Sequence, residues 1–228
     1  VQTCALPICA YAGCYVFPSR RGGVRRAAGW ERAVAWLLLA ACAPLLVGVG
    51  VAVWLCDGWP VLFLQERYGQ GGRPFTLYKF RTMVRRSEQL QGRLQRRSGR
   101  RGRLFKLEND PRVTRLGARL RRTFLDELPQ LFNVALGDMR LVGPRPLPAE
   151  ESWHYTRPCH GLRLDGRPGM TGLWQVSGRN ARTFEEMCLL DAYYLANASW
   201  ALDARILLRT LGLLFGQAGL AREAQGRG

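Results

Sequence analysis

The chain has 228 residues, and its 34 Lys and Arg residues outnumber its 17 Asp and Glu residues, giving a formal net charge of +17. This length allows one domain with a hydrophobic core, or a small domain joined to a membrane element. The charge predicts an anionic partner but does not choose among nucleic acid, anionic lipid and a phosphorylated small molecule. Seven cysteines without a C-x-x-C pair argue against a disulfide framework or a zinc site.

Residues 1–29 show no clear hydrophobic period, and nothing about the fold is inferred from them. A membrane helix is predicted over residues 30–57, because the uncharged stretch 33–56 exceeds the roughly 20 apolar residues that a bilayer span needs. Pro44 near its middle removes a helical hydrogen bond and predicts a kink. Basic residues flank both ends, and positive charge marks the cytoplasmic side. We therefore favour a re-entrant helix that turns back within one leaflet.

Two alternatives to the re-entrant helix remain open. The first is an ordinary single span with a proline kink, which the length of the apolar stretch equally allows. The second is a cleaved signal peptide, which fits less well because the apolar stretch continues beyond the small residues at 41–43. In the two leading interpretations the protein is membrane-bound, and residues 58–220 form a soluble basic domain followed by a tail at 221–228.

The basic domain is predicted to be of the α+β class and mostly helical. Residues 61–83 alternate in polarity around a Gly-rich turn, which predicts a short β-hairpin. Residues 85–103 predict a solvated loop, or alternatively a contact with lipid headgroups. Helical spacing returns over 113–137 and again from Phe184 to about Leu220, where the apolar face either joins the core or lies on lipid as an interfacial amphipathic helix. Residues 143–180 predict irregular turns.

The stretch RRTFLDELPQLFN at residues 121–133 contains two adjacent carboxylates, Asp126 and Glu127. Because Pro129 is tolerated only in the first turn of a helix, a new helix is predicted to begin at Asp126 or at Thr123. Either choice places Asp126 at a helix N-terminus. Considered alone, this pattern also allows a plain helix cap in which Glu127 complements the helix dipole.

Side chains of consecutive residues on a helix diverge by about 100°, so the two carboxylates cannot share one proton closely. We expect a division of labour, in which one carboxylate attacks an electrophile and the other holds a divalent cation. An anionic phosphate electrophile matches the arginines nearby in the sequence, and Mg²⁺ would neutralise a diphosphate and help its leaving group depart. These arginines are Arg112, Arg115, Arg119, Arg121, Arg122 and Arg145.

Four long motifs follow one another in the chain: RYGQGGRPFTLYKFRTM, FKLENDPRVTRLGARLRRTFLDELPQLFNVALGDMRLVGPRP, RPGMTGLWQVSGRN and LDAYYLANASWALDARILL. In this order, over residues 30–212, they resemble the bacterial sugar transferases, the monotopic phosphoglycosyl transferases that begin exopolysaccharide, O-antigen or other glycan assembly. Two positions depart from the family pattern, since Ala43 precedes Pro44 where Ser is frequent and Trp36 stands where Asp is often found. These departures bear on the geometry of the membrane helix.

The resemblance implies transfer of a sugar 1-phosphate from a UDP-sugar to polyprenyl phosphate, with release of UMP. It implies that Asp126 is the nucleophile, that Glu127 supports Mg²⁺ and that Arg145 contacts phosphate. Lys79 and Arg81 are expected near the site, and we include Arg121 among the substrate-binding residues. A re-entrant anchor would place the protein on the cytoplasmic face of the bacterial inner membrane, in contact with membrane lipid.

Two functions compete with this expectation. The first is a membrane-tethered nucleic-acid-binding protein that relies on the Arg-rich stretch 93–122. No helix-turn-helix, RRM or zinc signature supports it, so no nucleic-acid partner is expected. The second is a catalytically idle scaffold of the same fold, against which the intact residues Asp126, Glu127 and Arg145 argue.

Overall fold

The computed structural model describes residues 29–87, 89–90, 110–148, 161–178 and 183–225, with side chains described as far as residue 214. The predicted segment at 1–28 and most of the predicted loop at 85–103 lie outside the described residues. The named helices are α1 Gly29–Asp57, α2 Arg115–Thr123, α3 Gln130–Leu136, α4 Leu173–Val176, α5 Phe184–Asn197 and α6 Trp200–Gln225. The strands are β1 Leu62–Tyr68, β2 Pro74–Phe80, β3 Arg140–Val142 and β4 Gly169–Thr171. The prediction of a mostly helical α+β chain is confirmed.

Helix α1 confirms the long apolar helix and is continuous through Pro44. Among the described helices it alone is long and apolar enough to cross a membrane by length and composition, with a mean hydropathy of 2.3. Its buried residues lie towards both ends: Glu31, Ala35, Leu39, Val49 and Val53. No residue from 40 to 48 is buried. The helix therefore rests on the domain near its two ends and exposes its middle, while its course through a membrane stays a prediction.

The predicted hairpin is confirmed. Strands β1 and β2 pair antiparallel, from Leu62 opposite Phe80 to Tyr68 opposite Pro74. The turn between them contains a 3₁₀ segment, Gln70–Gly72, in which Gly71 has a φ of 66° and Gly72 one of 72°. Side chains of β2 pack against α1 and α3 in the core. The hairpin therefore connects α1 to the rest of the domain.

The prediction that residues 143–180 are wholly irregular is wrong in part. Strand β4 lies in this range and pairs parallel with β3, and the short helix α4 follows it. The two strands are joined through a very close backbone approach, since a Cβ atom on Gly169 would lie 2.0 Å from the Gly143 nitrogen. Strands of three residues are too short to show a hydrophobic period, so the sequence pattern did not reveal them.

The prediction that a new helix begins at Asp126 or Thr123 is wrong in part, because Asp126 lies in the first turn of a 3₁₀ segment and not of an α-helix. Helix α2 ends at Thr123, and Phe124 adopts the left-handed conformation with a φ of 57°. Its backbone N–H bonds the carbonyls of Arg121 and Leu120, which closes the helix. Asp126 then lies in a single 3₁₀ turn, Leu125–Glu127. Pro129 occupies the N-cap position of α3, directly before its first residue, Gln130. Local helical spacing continues across this break, because residues on both sides face the same core.

Three clusters form the hydrophobic core of the described residues. The first joins α1, β2 and α3 through Ala35, Leu39, Leu77, Leu131, Val134, Ala135 and Met139. The second joins α1, β2 and α2 through Val49, Val53, Phe80 and Leu120. The third gathers β3, α4, α5 and α6 around Tyr194, Met187 and Ile206. Helix α6 buries Ile206, exposes Leu208 and Leu211, and extends to Gln225, into the predicted tail at 221–228.

Candidate active site

A cavity of about 1110 Å³ opens between the hairpin, the end of α2, the loop after β3 and helix α4. All the residues predicted for catalysis and substrate binding line it, although they come from separate parts of the sequence: Lys79, Arg81, Arg121, Asp126, Glu127 and Arg145. Another part of the wall is apolar and includes Pro60, Leu62 and Leu64. The cavity thus combines a cluster of charges with a surface suited to hydrocarbon.

Asp126 contributes the buried carboxylate of the cavity and is 8% exposed. Burial raises the pKa of Asp126, and the nearby charge of Glu127 raises it further. The positive charges of Lys79 and Arg121 oppose this and lower the pKa. The carboxylate is therefore poorly hydrated and depends on neighbouring cations to stay ionised. These are the conditions under which an enzyme carboxylate performs chemistry.

Lys79 projects from β2 and connects the two acidic residues electrostatically. Its Nζ donates a hydrogen bond to Glu127 Oε1 at 3.0 Å. Burial lowers the pKa of Lys79, Glu127 and Asp126 raise it, and Arg145 lowers it. The ammonium group is thus placed between the carboxylate pair and the guanidinium of Arg145.

The three arginines are held by different elements. Arg81 is buried, and its Nη2 donates to the carbonyls of Asp57 and Gly58 at 2.5 Å each, at the C-terminal end of α1. Arg121 Nε donates to Thr82 Oγ1 at 2.8 Å. These contacts hold two cations on the side of the cavity nearest the membrane helix.

Arg145 belongs to the loop after β3 and lies over a tryptophan. Its guanidinium carbon is 5.3 Å from the centroid of the Trp174 ring, within the range of a cation–π contact. Arg67, which is buried on β1, supports the same loop by donating from Nη1 to the Pro146 carbonyl at 2.9 Å. The sequence prediction did not include Trp174 or Arg67. Both lie in the motifs quoted above, but their spacing carries no signal that they meet Arg145.

The carboxylates of the cavity decide whether it could hold Mg²⁺. The described residues contain no group of three or more His, Cys, Asp or Glu side chains that could hold a metal ion. Mg²⁺ is usually bound by one or two carboxylates together with substrate phosphates and water. Glu127 and Asp126 fit that smaller requirement, since both line the cavity and the Glu127 side chain is 25% exposed. The residues therefore suit a metal that arrives with a diphosphate substrate.

Residues 25–217 match the family described as bacterial sugar transferase, and the chain belongs to that family. It is 46% identical to the galactosyl transferase CpsE of Streptococcus agalactiae over 68% of this chain and 34% of that protein. It is 41% identical to the undecaprenyl-phosphate galactose phosphotransferase of Salmonella typhimurium, over 76% of this chain and 37% of that protein. It is 36% identical to the UDP-glucose:undecaprenyl-phosphate glucose-1-phosphate transferase of Xanthomonas campestris, over 87% of this chain and 42% of that protein. The chain thus spans well under half the length of these relatives.

Proposed function

We propose that the protein transfers a sugar 1-phosphate from a UDP-sugar to polyprenyl phosphate, as the first step of exopolysaccharide or other glycan assembly. The observation that carries the proposal is the burial of the Asp126 carboxylate in a cavity shared with Lys79, Arg121 and Arg145. The printed names of two relatives support it, since they describe sugar phosphotransferases that act on undecaprenyl phosphate.

The first half of the reaction is a displacement at the sugar-bearing phosphorus. A carboxylate oxygen of Asp126 bonds to this phosphorus, and the bond from the phosphorus to the bridging oxygen breaks, so that UMP leaves with that oxygen. Lys79 and Arg145 would hold the diphosphate through charge-assisted hydrogen bonds. Glu127 would hold Mg²⁺, which when bound supplies charge neutralisation of the diphosphate.

The second half regenerates the enzyme. A phosphate oxygen of the polyprenyl phosphate bonds to the same phosphorus, and the bond from phosphorus to Asp126 breaks. The product is a sugar joined to the polyprenyl chain through a diphosphate, and the carboxylate is restored. Arg81 and Arg121 lie on the cavity wall near the end of α1, where they would bind phosphate. Apolar side chains at this end are exposed for contact with hydrocarbon: Trp54, Leu55, Leu62 and Leu64.

The proposal includes a re-entrant course for α1, on the cytoplasmic face of the bacterial inner membrane. Near its start, Glu31 Oε1 accepts from Arg140 Nη2 at 2.8 Å. At its end, Asp57 Oδ2 accepts from Thr114 Oγ1 at 2.9 Å. Both ends therefore contact the same domain, whereas a helix that crossed the bilayer would place one of these two contacts on the opposite side of the membrane from the domain. The exposed, uncharged middle of the helix is the part that would enter the lipid.

The experiment that tests the function mixes purified protein, Mg²⁺, UDP-sugars and polyprenyl phosphate, and measures UMP and the mass of the peptide that contains Asp126. We expect UMP release and a phosphosugar adduct on this peptide. Asp126→Asn should abolish both while membrane association persists. Undiminished turnover by the Asn variant would refute the assignment of the nucleophile. A nucleic-acid-binding function finds no support in the described residues or in the names of the relatives.

A further inference from the structure

Behind the loop that carries Arg145 lies a buried ion pair that does not touch the cavity. Arg163 belongs to the 3₁₀ turn Leu162–Asp165, and Asp191 belongs to α5. The Arg163 Nη2 atom is 2.5 Å from Asp191 Oδ2, and both side chains are 1% exposed. Neither residue is part of the cavity wall. Their role must therefore be exerted through other residues.

The ion pair reaches the proposed site through the backbone of Arg145. The same Arg163 Nη2 atom donates a hydrogen bond to the Arg145 carbonyl at 2.7 Å. Burial raises the pKa of Asp191 to about 6, and the charge of Arg163 and the backbone of Arg145 lower it. The backbone carbonyl of Arg145 thus faces this ion pair. Its side chain extends the other way, over Trp174.

Stability alone does not account for such a pair. Replacing a buried ion pair with apolar residues of similar volume is often neutral or stabilising, because removing two charges from water is costly. A guanidinium fork, by contrast, bonds several acceptors in a fixed geometry. Arg163 uses its fork to join α5 to the loop at the residue whose side chain lines the cavity. This arrangement restricts where Arg145 can present its charge.

We propose that Arg163 and Asp191 are positioning residues that fix the backbone of Arg145, and thereby the place where its guanidinium meets the diphosphate of the donor. The inference rests on the proposed phosphate-binding role of Arg145. Loosening this loop would let the Arg145 guanidinium move away from the diphosphate, so it should weaken diphosphate binding even though no contact to substrate is removed.

The test measures the affinity for UDP, which carries the donor's diphosphate, by calorimetry with the full chain in detergent. All variants carry Asp126→Asn so that no turnover occurs. Arg145→Ala should weaken binding about tenfold or more, as expected for a charge-assisted hydrogen bond. Asp191→Asn and Arg163→Lys should each weaken it by about fivefold to tenfold, no more than removal of the Arg145 guanidinium itself.

Arg167→Lys is the matched control. Arg167 follows Arg163 closely in the chain and also donates to a backbone carbonyl, but to that of Gly137, at 3.0 Å. It does not line the cavity. This variant should bind UDP with the affinity of its parent. If it weakened binding as much as Arg163→Lys, a general loosening of the segment would explain the result and the proposal would fail.

A double-mutant cycle separates positioning from a merely structural role. If the pair acts through Arg145, adding Asp191→Asn to Arg145→Ala should weaken UDP binding no further. Equal weakening in both backgrounds would overturn the proposal, as would an unchanged affinity of the Asp191→Asn and Arg163→Lys variants. Melting temperatures identify any variant that fails to fold. If Asp191→Asn fails to fold, the same double-mutant cycle with Arg163→Lys, which keeps the cation, decides the question. An unchanged affinity of Arg145→Ala would instead contradict the proposed role of Arg145 itself.

Discussion

Lys79 Nζ lies 3.0 Å from Glu127 Oε1, and the same ammonium group stabilises the ionised form of Asp126. The two residues are far apart in the chain and meet because β2 runs past the 3₁₀ turn that follows α2. The ion pair between Lys79 and Glu127 partly neutralises the negative charge of Glu127. The consequence is that the protonation of Asp126 depends on both neighbours, in opposite directions.

The first prediction concerns the pH dependence of adduct formation. The nucleophile must be ionised, so the rate falls as the pH drops through the pKa of Asp126, which burial raises above 3.8. Lys79→Gln removes a charge that lowers this pKa, so the acidic limb should move to higher pH, by about one unit. Glu127→Gln removes a charge that raises it, so the limb should move to lower pH. The rate of UMP release in the first turnover, measured as a function of pH, gives the position of the acidic limb.

Arg73→Gln provides the control for this pH prediction. Arg73 is exposed at the hairpin turn, at the opposite end of β2 from Arg81, and is not part of the cavity wall. Its substitution should leave the acidic limb in place. A limb that stays fixed in both the Lys79→Gln and Glu127→Gln variants would show that Asp126 does not control it.

The second prediction concerns magnesium. Chelation of divalent cations should suppress UMP release, and added Mg²⁺ should restore it. Since the protein supplies only the acidic pair, we expect the metal to bind weakly without a donor and more tightly with UDP present. Glu127→Gln should raise the Mg²⁺ concentration needed for half-maximal activity by about tenfold or more. A Mg²⁺ titration of wild type and variant checks this, and identical midpoints would remove Glu127 as a metal ligand.

The third prediction concerns the course of α1. Single cysteines replacing Trp30 and Trp59, in a chain whose seven native cysteines are replaced, should both react with a membrane-impermeant maleimide from the cytoplasmic side. Both positions are exposed in the described structure, at the two ends of the helix. A cysteine at Pro44 should be protected by lipid. Inverted membrane vesicles and intact spheroplasts distinguish the sides, and labelling of the two ends from opposite sides would establish a single span.

The fourth prediction concerns the parallel strands β3 and β4. Gly169→Ala would place a Cβ atom 2.0 Å from the Gly143 nitrogen, and such overpacking costs about 1 to 3 kcal/mol of unfolding free energy. Gly212→Ala is the matched control, because it lies in α6 with no atom within 4 Å of the added Cβ. It should stabilise the protein by up to about 1 kcal/mol. Denaturant unfolding of both variants measures the difference, and equal effects would contradict the close approach.

Prediction from sequence succeeded where a local pattern carried the information. The uncharged stretch gave α1, and the alternation around a Gly-rich turn gave the hairpin, because burial repeats with a fixed period along one element. It failed at Asp126, where helical spacing continues through a break that depends on the left-handed Phe124. It also missed β3 and β4, whose pairing depends on glycine contacts between distant segments.

By itself, the sequence determined the long apolar helix, the hairpin and the set of charged residues from which a site could be built. Tertiary structure alone decided which of these charges meet: that Lys79 pairs with Glu127, that Arg145 lies on Trp174, and that Arg163 pairs with Asp191 and donates to the Arg145 carbonyl. The physical reason is that hydrophobic periodicity specifies which face of an element is buried, whereas contacts between elements depend on how those faces pack together.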